Sequence, residues 1–166
     1  MKLRDWFNPV RVLLLAAVLV IGACGGAGGG SDTLQDDPAY EWALDYRGAM
    51  QTENLTRVSD LFADTFLDDC TDKTEVLNNT TTLFAGTTEL RIEILEVAPG
   101  SYSSGNTIYS ALVRFRVTGN SVTGPVNYTE SGTLVLRNIG GLWYSYGNQT
   151  CVAGAVSILA PKNLKK

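Results

Sequence analysis

The chain contains no histidine. Catalytic triads built on imidazole and histidine-ligated metal sites are therefore excluded at the outset. The remaining chemistry must come from carboxylates, tyrosines and cysteines. Asp60, Asp64, Asp68, Asp69 and Asp72 form an acidic run. Calcium would need several oxygen ligands around one ion, and no Asp-x-Asp-x-Asp-Gly loop supplies them. The run reads as a solvated acidic face, and no metal, other cofactor or catalytic residue is assigned. Cys24, Cys70 and Cys151 show no Cys-x-x-Cys spacing, so the usual redox and zinc motifs are absent from the sequence. Glu130 is more oddly placed. Tyr128, Glu130, Gly132, Leu134 and Leu136 share strand parity, so Glu130 points with two leucines, beside Tyr128. A bulge near Ser131 and Gly132 would reverse that parity and turn Glu130 into water. The exposed placement is the one expected.

The elements that must position these groups begin with a leader. Lys2, Arg4 and Arg11 face a single acid, Asp5, ahead of the unbroken apolar run Val12–Ile21. A charged start, a short apolar centre and the small residues Gly22 and Ala23 are the parts of a secretory signal. Spanning a bilayer takes about 20 apolar residues, and this run has roughly half of that. Ile21-Gly22-Ala23-Cys24 resembles the lipobox of a bacterial lipoprotein signal peptide. The resemblance implies cleavage after residue 23, lipid attachment at Cys24 and a membrane anchor of several acyl chains, as with palmitate and its relatives. Gly25 and Gly26 follow, where an aspartate would favour the inner membrane. The expected location is the cell envelope, on the periplasmic side of the outer membrane where one exists. The Asn-x-Thr triplets at Asn54, Asn79, Asn127 and Asn148 are then chance matches.

Residues 24–37 hold the lipidated cysteine and a glycine-rich tether, which as a flexible coil reaches about 20 Å. No strand precedes that glycine run and no Gly-Lys-Ser/Thr follows, so it is not a phosphate loop. Removing Lys2, Arg4, Arg11 and Asp5 with the leader shifts the formal charge from −4 to about −6. An acidic domain argues against nucleic acid, whose phosphates demand cations. Lys162, Lys165 and Lys166 belong to a short tail, residues 152–166, read as a solvated terminus. With Cys24 consumed by lipid, Cys70 and Cys151 remain as a candidate disulfide in an oxidising compartment. Two independent buried thiols are the alternative.

Residues 38–151 read as one domain. Asp36 and Asp37 are candidate caps, with Pro38 at the first helical position. Tyr40, Ala43, Leu44, Arg47 and Met50 then recur at helical spacing up to Thr52. A second helix is predicted from Asn54 to Phe62. A third starts at Asp72 with a capping-box-like Glu75 and a face of Val76, Leu77, Thr80 and Phe84, and Gly86 ends it. Beyond Gly86 the period turns alternating, first at Leu90, Ile92 and Ile94, then from Tyr109 to Val117. Two further strands are predicted at Val126–Leu136 and Leu142–Tyr146, with Ser101–Asn106 as a turn-rich loop. Gly119–Gly124 and Asn138–Gly141 are the remaining turns. Three helices followed by about four hairpin-linked strands is an α+β layout.

From about Pro38 to Asn148, with Leu61-Phe62-Ala63-Asp64 before an acidic turn and Gly-Leu-Trp-Tyr-Ser-Tyr-Gly-Asn at the end, the chain resembles the nuclear transport factor 2-like (NTF2-like) superfamily. That group includes ketosteroid isomerases and SnoaL-like proteins. The resemblance implies a cone of three helices on a curved antiparallel sheet, with a pocket between them. It places Tyr46 where the isomerases hold an oxyanion, and the general base at about Cys70, with Asp69 one place away. Their assisting acid would fall near Gly132, which has no side chain. Tyr46 and Met50 lie one above the other on a helix, and Leu134 shares parity with Gly132. The candidate pocket is thus Tyr46, Met50, Asp69, Tyr128, Glu130 and Leu134. The leading expectation is non-catalytic binding of a small apolar ligand or an envelope protein. The alternatives are an enzyme using Tyr46 with Asp69 or Glu130, and a filled cone serving assembly. The resemblance also implies a homodimer through the sheet.

Overall fold

A computed structural model of the chain describes residues 36–151. Cys24, the leader, the tether up to residue 35 and the 152–166 tail lie outside the described residues. Helix α1 spans Pro38–Gln51, α2 spans Leu55–Asp60 and α3 spans Lys73–Gly86. Strands β1 (Leu67–Asp68) and β2 (Thr71–Asp72) precede α3 as a small hairpin. The main sheet comprises β3 (Thr87–Val97), β4 (Ser101–Ser103), β5 (Ile108–Ser121), β6 (Gly124–Ile139) and β7 (Leu142–Ser145). Its order is β3-β5-β6-β7, all antiparallel, with β4 paired to β5.

The helices start where side-chain oxygens satisfy their first amides. Asp37 accepts from Ala39 N and Tyr40 N, Asn54 from Arg57 N, and Asp72 from Glu75 N. Asp37, not Asp36, is therefore the cap of α1. The buried stripe of α1 is Trp42, Ala43, Tyr46, Ala49 and Met50, which lie three and four residues apart, whereas Tyr40, Leu44 and Arg47 of the expected face are only half-buried. On α3 the buried positions are Val76, Thr80 and Leu83. The predicted face had Phe84 in place of Leu83, but Phe84 only packs against the edge of the core. The second helix also stops short of the predicted Phe62. Its Leu61 and Phe62 instead turn the chain towards β7, where Ala63 N donates to Ser145 O and Ser145 N to Leu61 O.

The sheet has one more strand than predicted. Ser101–Ser103, expected within a loop, pairs with Ile108–Ser110, and Tyr102 rests against Tyr109 at 4.7 Å between ring centroids. The predicted Gly119–Gly124 turn tightens to the two residues between Ser121 and Gly124. Gly119 itself lies in β5, where a Cβ would come within 2.6 Å of the Thr87 side chain. The β6–β7 turn falls on Gly140 and Gly141, both at positive φ, as a two-residue hairpin turn requires. Register shifts between Thr88 and Arg91, and between Ile94 and Glu96, bend β3 across its partner. The sheet curls, and the helices cover its inner face. Between them lies an apolar core that includes Phe62, Phe66, Val113, Leu134 and Leu136.

Candidate functional site in the closed cone

The interior of the cone is assembled by α1, β3, β5 and β6. Tyr46 is buried and stacks on Trp42, with ring centroids 5.1 Å apart and planes within 11°. Its other side meets Phe115 at 5.7 Å. Trp42 is fixed in turn, because its Nε1 donates to Leu61 O at 3.0 Å. These contacts hold the tyrosine ring in one pose without help from a ligand.

Of the six residues named from sequence, four line one small space. Tyr46, Met50, Tyr128 and Glu130 bound a cavity of about 20 Å³, together with Ile92, Phe115 and Val117. The β5–β6 register runs without a break from Ile108 opposite Arg137 to Ser121 opposite Gly124. The bulge expected near Ser131 and Gly132 does not form. Parity is therefore kept, and Glu130 turns into the cone, correcting the expected exposed placement.

Two of the six stand elsewhere. Asp69 sits at the β1–β2 turn, where its Oδ1 accepts from Asn148 Nδ2 at 2.8 Å. Cys70 beside it is bonded to Cys151, with Cα atoms 4.1 Å apart. The position that resembles a general base is thus part of a clasp at the corner. Leu134 is fully buried opposite Ala111. It faces inward as parity demanded, but four residues along β6 from Glu130, about 13 Å at strand rise. It packs in the core behind the cavity. Ile92, Phe115 and Val117 were legible as inward strand positions, yet nothing local marked them as cavity walls.

The electrostatics of the cavity favour neutral phenols. Burial raises the Tyr46 hydroxyl well above the usual tyrosine value, and Tyr128 and Glu130 add to the effect. Burial pushes Tyr128 up to about 12, again with Glu130 adding. The Tyr128 hydroxyl is buried and meets no hydrogen-bond partner. Proton transfer needs a base within about 3 Å of the proton it takes. A cavity of about 20 Å³ holds one water molecule. Small-molecule sites run to about 300–1,000 Å³. The cone as folded is filled by its own side chains.

A second buried polar centre escaped sequence reading. The Tyr109 hydroxyl donates to Asp37 Oδ2 and accepts from Gly100 N at 2.8 Å. The cap of α1 is thereby tied to the β4–β5 hairpin. Burial, with the Asp37 hydrogen bond adding, pushes Tyr109 up to about 12. The cap signal at Asp37 was visible; its partner 72 residues away was not. Among the described residues, no group of three or more Cys, Asp or Glu side chains is arranged to hold a metal ion.

No known family profile matches the chain, and no curated protein matches it by sequence. Solved structures do match by shape. A candidate dehydratase of the NTF2-like family from Streptomyces avermitilis covers 70% of this chain and 94% of its own, with TM-score 0.54 and 14% identity. A candidate ketosteroid isomerase from Shewanella frigidimarina covers 68% and 93%, with TM-score 0.51 and 17% identity. A candidate aromatic ring hydroxylase from Novosphingobium aromaticivorans covers 66% and 82%, with TM-score 0.57 and 15% identity. Likeness at such identities speaks for architecture and not for chemistry. The domain has the NTF2-like cone fold.

Proposed function

We propose that this protein is a lipid-anchored cell-envelope protein whose NTF2-like domain acts without catalysis, by presenting its surface to a partner protein. The observation that carries this reading is the size of the cone interior. At about 20 Å³ it is an order of magnitude below the sites that hold small molecules. The small apolar ligand considered from sequence has no room there. The anchor rests on the lipobox-like Ile21–Cys24 segment and the leader before it. Periplasmic placement at the outer membrane follows from the same segment, and a homodimer through the sheet is compatible with partner binding. The exposed face of β5 offers Leu112, between Ser110 and Arg114, for such a contact.

The test separates surface from interior. Organic extraction of the purified native protein, followed by mass spectrometry, is expected to yield no stoichiometric small molecule. In cells, the double variant Tyr46→Phe with Glu130→Gln is expected to complement a deletion fully. A co-purifying ligand at one per chain, or loss of complementation by a stably folded double variant, would overturn the reading. One observation favours an enzyme instead: Tyr46, Tyr128 and Glu130 converge on the same cavity. Acid–base chemistry there would require the cone to open, and the same double variant would then be inactive.

A further inference from the structure

The cations of the described residues are almost all accounted for. Arg57 pairs with Asp45, Lys73 with Asp64, Arg114 with Glu96 and Arg116 with Glu93. Arg137 lies over the Tyr146 ring at 5.1 Å. Arg47 and Arg91 are the two that remain, and both line one open groove of about 430 Å³. In a chain with more carboxylates than cations, two arginines without a carboxylate in one groove call for an explanation. Glu93 also lines the groove, but its Oε2 is held by Arg116 at 3.1 Å.

We propose that this groove binds a phosphate group carried on an apolar body. Arg47 comes from the second half of α1 and Arg91 from the edge strand β3. The two arginines therefore reach the groove from different elements. Each guanidinium fork presents parallel N–H donors matched to oxyanions. A phosphate has oxygens for both forks, whereas one fork already occupies a carboxylate. The site is braced by a side-chain bond to the β3 backbone. Gln51 Nε2 donates to Ile92 O at 3.3 Å, which ties the end of α1 to the β3 edge. The register shift between Thr88 and Arg91 sets Arg91 opposite Thr118, another residue of the groove wall. Ile92 and Ile94 supply apolar wall beside the cations, room for the carbon part of a phosphate ester or lipid. Ile92 also bounds the tyrosine cavity, so it partitions the two spaces. The inference depends on neither the lipid anchor nor the closed cone.

Two probes, used on the purified full chain, distinguish the sources of phosphate. The first is inorganic phosphate, followed by ³¹P relaxation. The second is co-sedimentation with phosphatidylglycerol–phosphatidylcholine vesicles against phosphatidylcholine alone. Arg47→Gln and Arg91→Gln should each weaken binding about tenfold, the effect of losing one charge-assisted interaction. The double variant should bind neither probe above background. Binding of inorganic phosphate lost in the double variant supports a soluble phosphate ligand. A preference for phosphatidylglycerol that the double variant loses, with inorganic phosphate inert, supports a lipid headgroup. Arg47→Lys with Arg91→Lys keeps charge but not the fork, and should fall between wild type and the glutamine pair. It serves if the glutamine pair unfolds. Equal behaviour of wild type and both pairs on both probes overturns the proposal, and leaves the arginines only guarding the β3 edge against pairing.

Discussion

The acidic corner between Asp64 and Asp72 and the carboxylate of Glu130 in the cone use one functional group in opposite settings. At the corner the acids meet backbone amides and cations near the surface. Asn148 N donates to Asp68 Oδ1 at 3.1 Å, Asn148 Nδ2 to Asp69, and Lys73 Nζ to Asp64 at 2.9 Å. Gln149 N and Leu67 N add two main-chain bonds across the same seam. The corner is where the chain's last described segment is sewn to its middle, and the disulfide closes the stitch. Inside the cone, Glu130 stands among aromatic and aliphatic walls with two tyrosines whose phenols burial keeps neutral. Density of acid in the sequence thus marked a structural seam. The chemically distinctive carboxylate was the one outside that run.

That contrast can be broken in order of expected effect. Removing the clasp with Cys70→Ser and Cys151→Ser should cost the most. The bond joins residues 81 apart, and a loop of that size is worth about 4–5 kcal/mol in the chain-entropy model. Chemical denaturation with and without reductant measures it. A loss under 1 kcal/mol would mean the seam holds without its disulfide.

Next comes the interior. Tyr46→Ala should destabilise by about 3–5 kcal/mol, as aromatic truncations in packed cores do. Tyr46→Phe should stay near wild type. Equal losses for both would place the energy in the hydroxyl and not in the ring stacked on Trp42.

The two regions should also differ in their response to alkali. Tyr128 and Tyr109 have folded pKa values of about 12, raised from 10. Groups raised in this way stabilise fully below the unfolded value and lose that contribution as pH climbs through the folded one. Stability should therefore fall between about pH 10 and 12, and Tyr128→Phe should flatten the slope. Denaturant midpoints across that range provide the check, and an unchanged slope would show Tyr128 already hydrated in the native state.

The smallest effect is expected at Asp69. Asp69→Ala removes one partly exposed bond to Asn148 and should cost about 1 kcal/mol or less, with no change in the cavity tyrosines. A measurable shift of the tyrosine titrations in this variant would connect corner and cone, which the packing keeps apart.

Much of the fold was legible because its signals are local. Asp37-Pro38, Asn54 and Asp72 marked helix starts within a single turn, and the helical period put Tyr46 and Met50 on one face, although the stripe read as Tyr40, Ala43, Leu44, Arg47 and Met50 was rotated from the buried one. Gly140-Gly141 announced a hairpin because only residues tolerant of positive φ suit that turn. Misreadings arose where pairing across the chain overrode a local cue. Ser101–Ser103 looks like loop until β5 satisfies its backbone. Ser131-Gly132 looks like a bulge until fourteen paired residues on β5 hold its register.

The three helices, their caps, most of the inward-facing positions on the long strands and the candidate pairing of Cys70 with Cys151 were legible in the chain. Those properties depend on period, parity and count, which a linear string contains. Packing across the chain set Asp69 in a seam and not in the cone, joined Asp37 to Tyr109, and brought into one groove two arginines that have no carboxylate partner among the described residues. It alone decided that the cone is nearly full. Cavity volume is a small difference between the space the curved sheet encloses and the side chains that fill it. No stretch of residues carries that difference, because walls from α1, β3, β5 and β6 set it together.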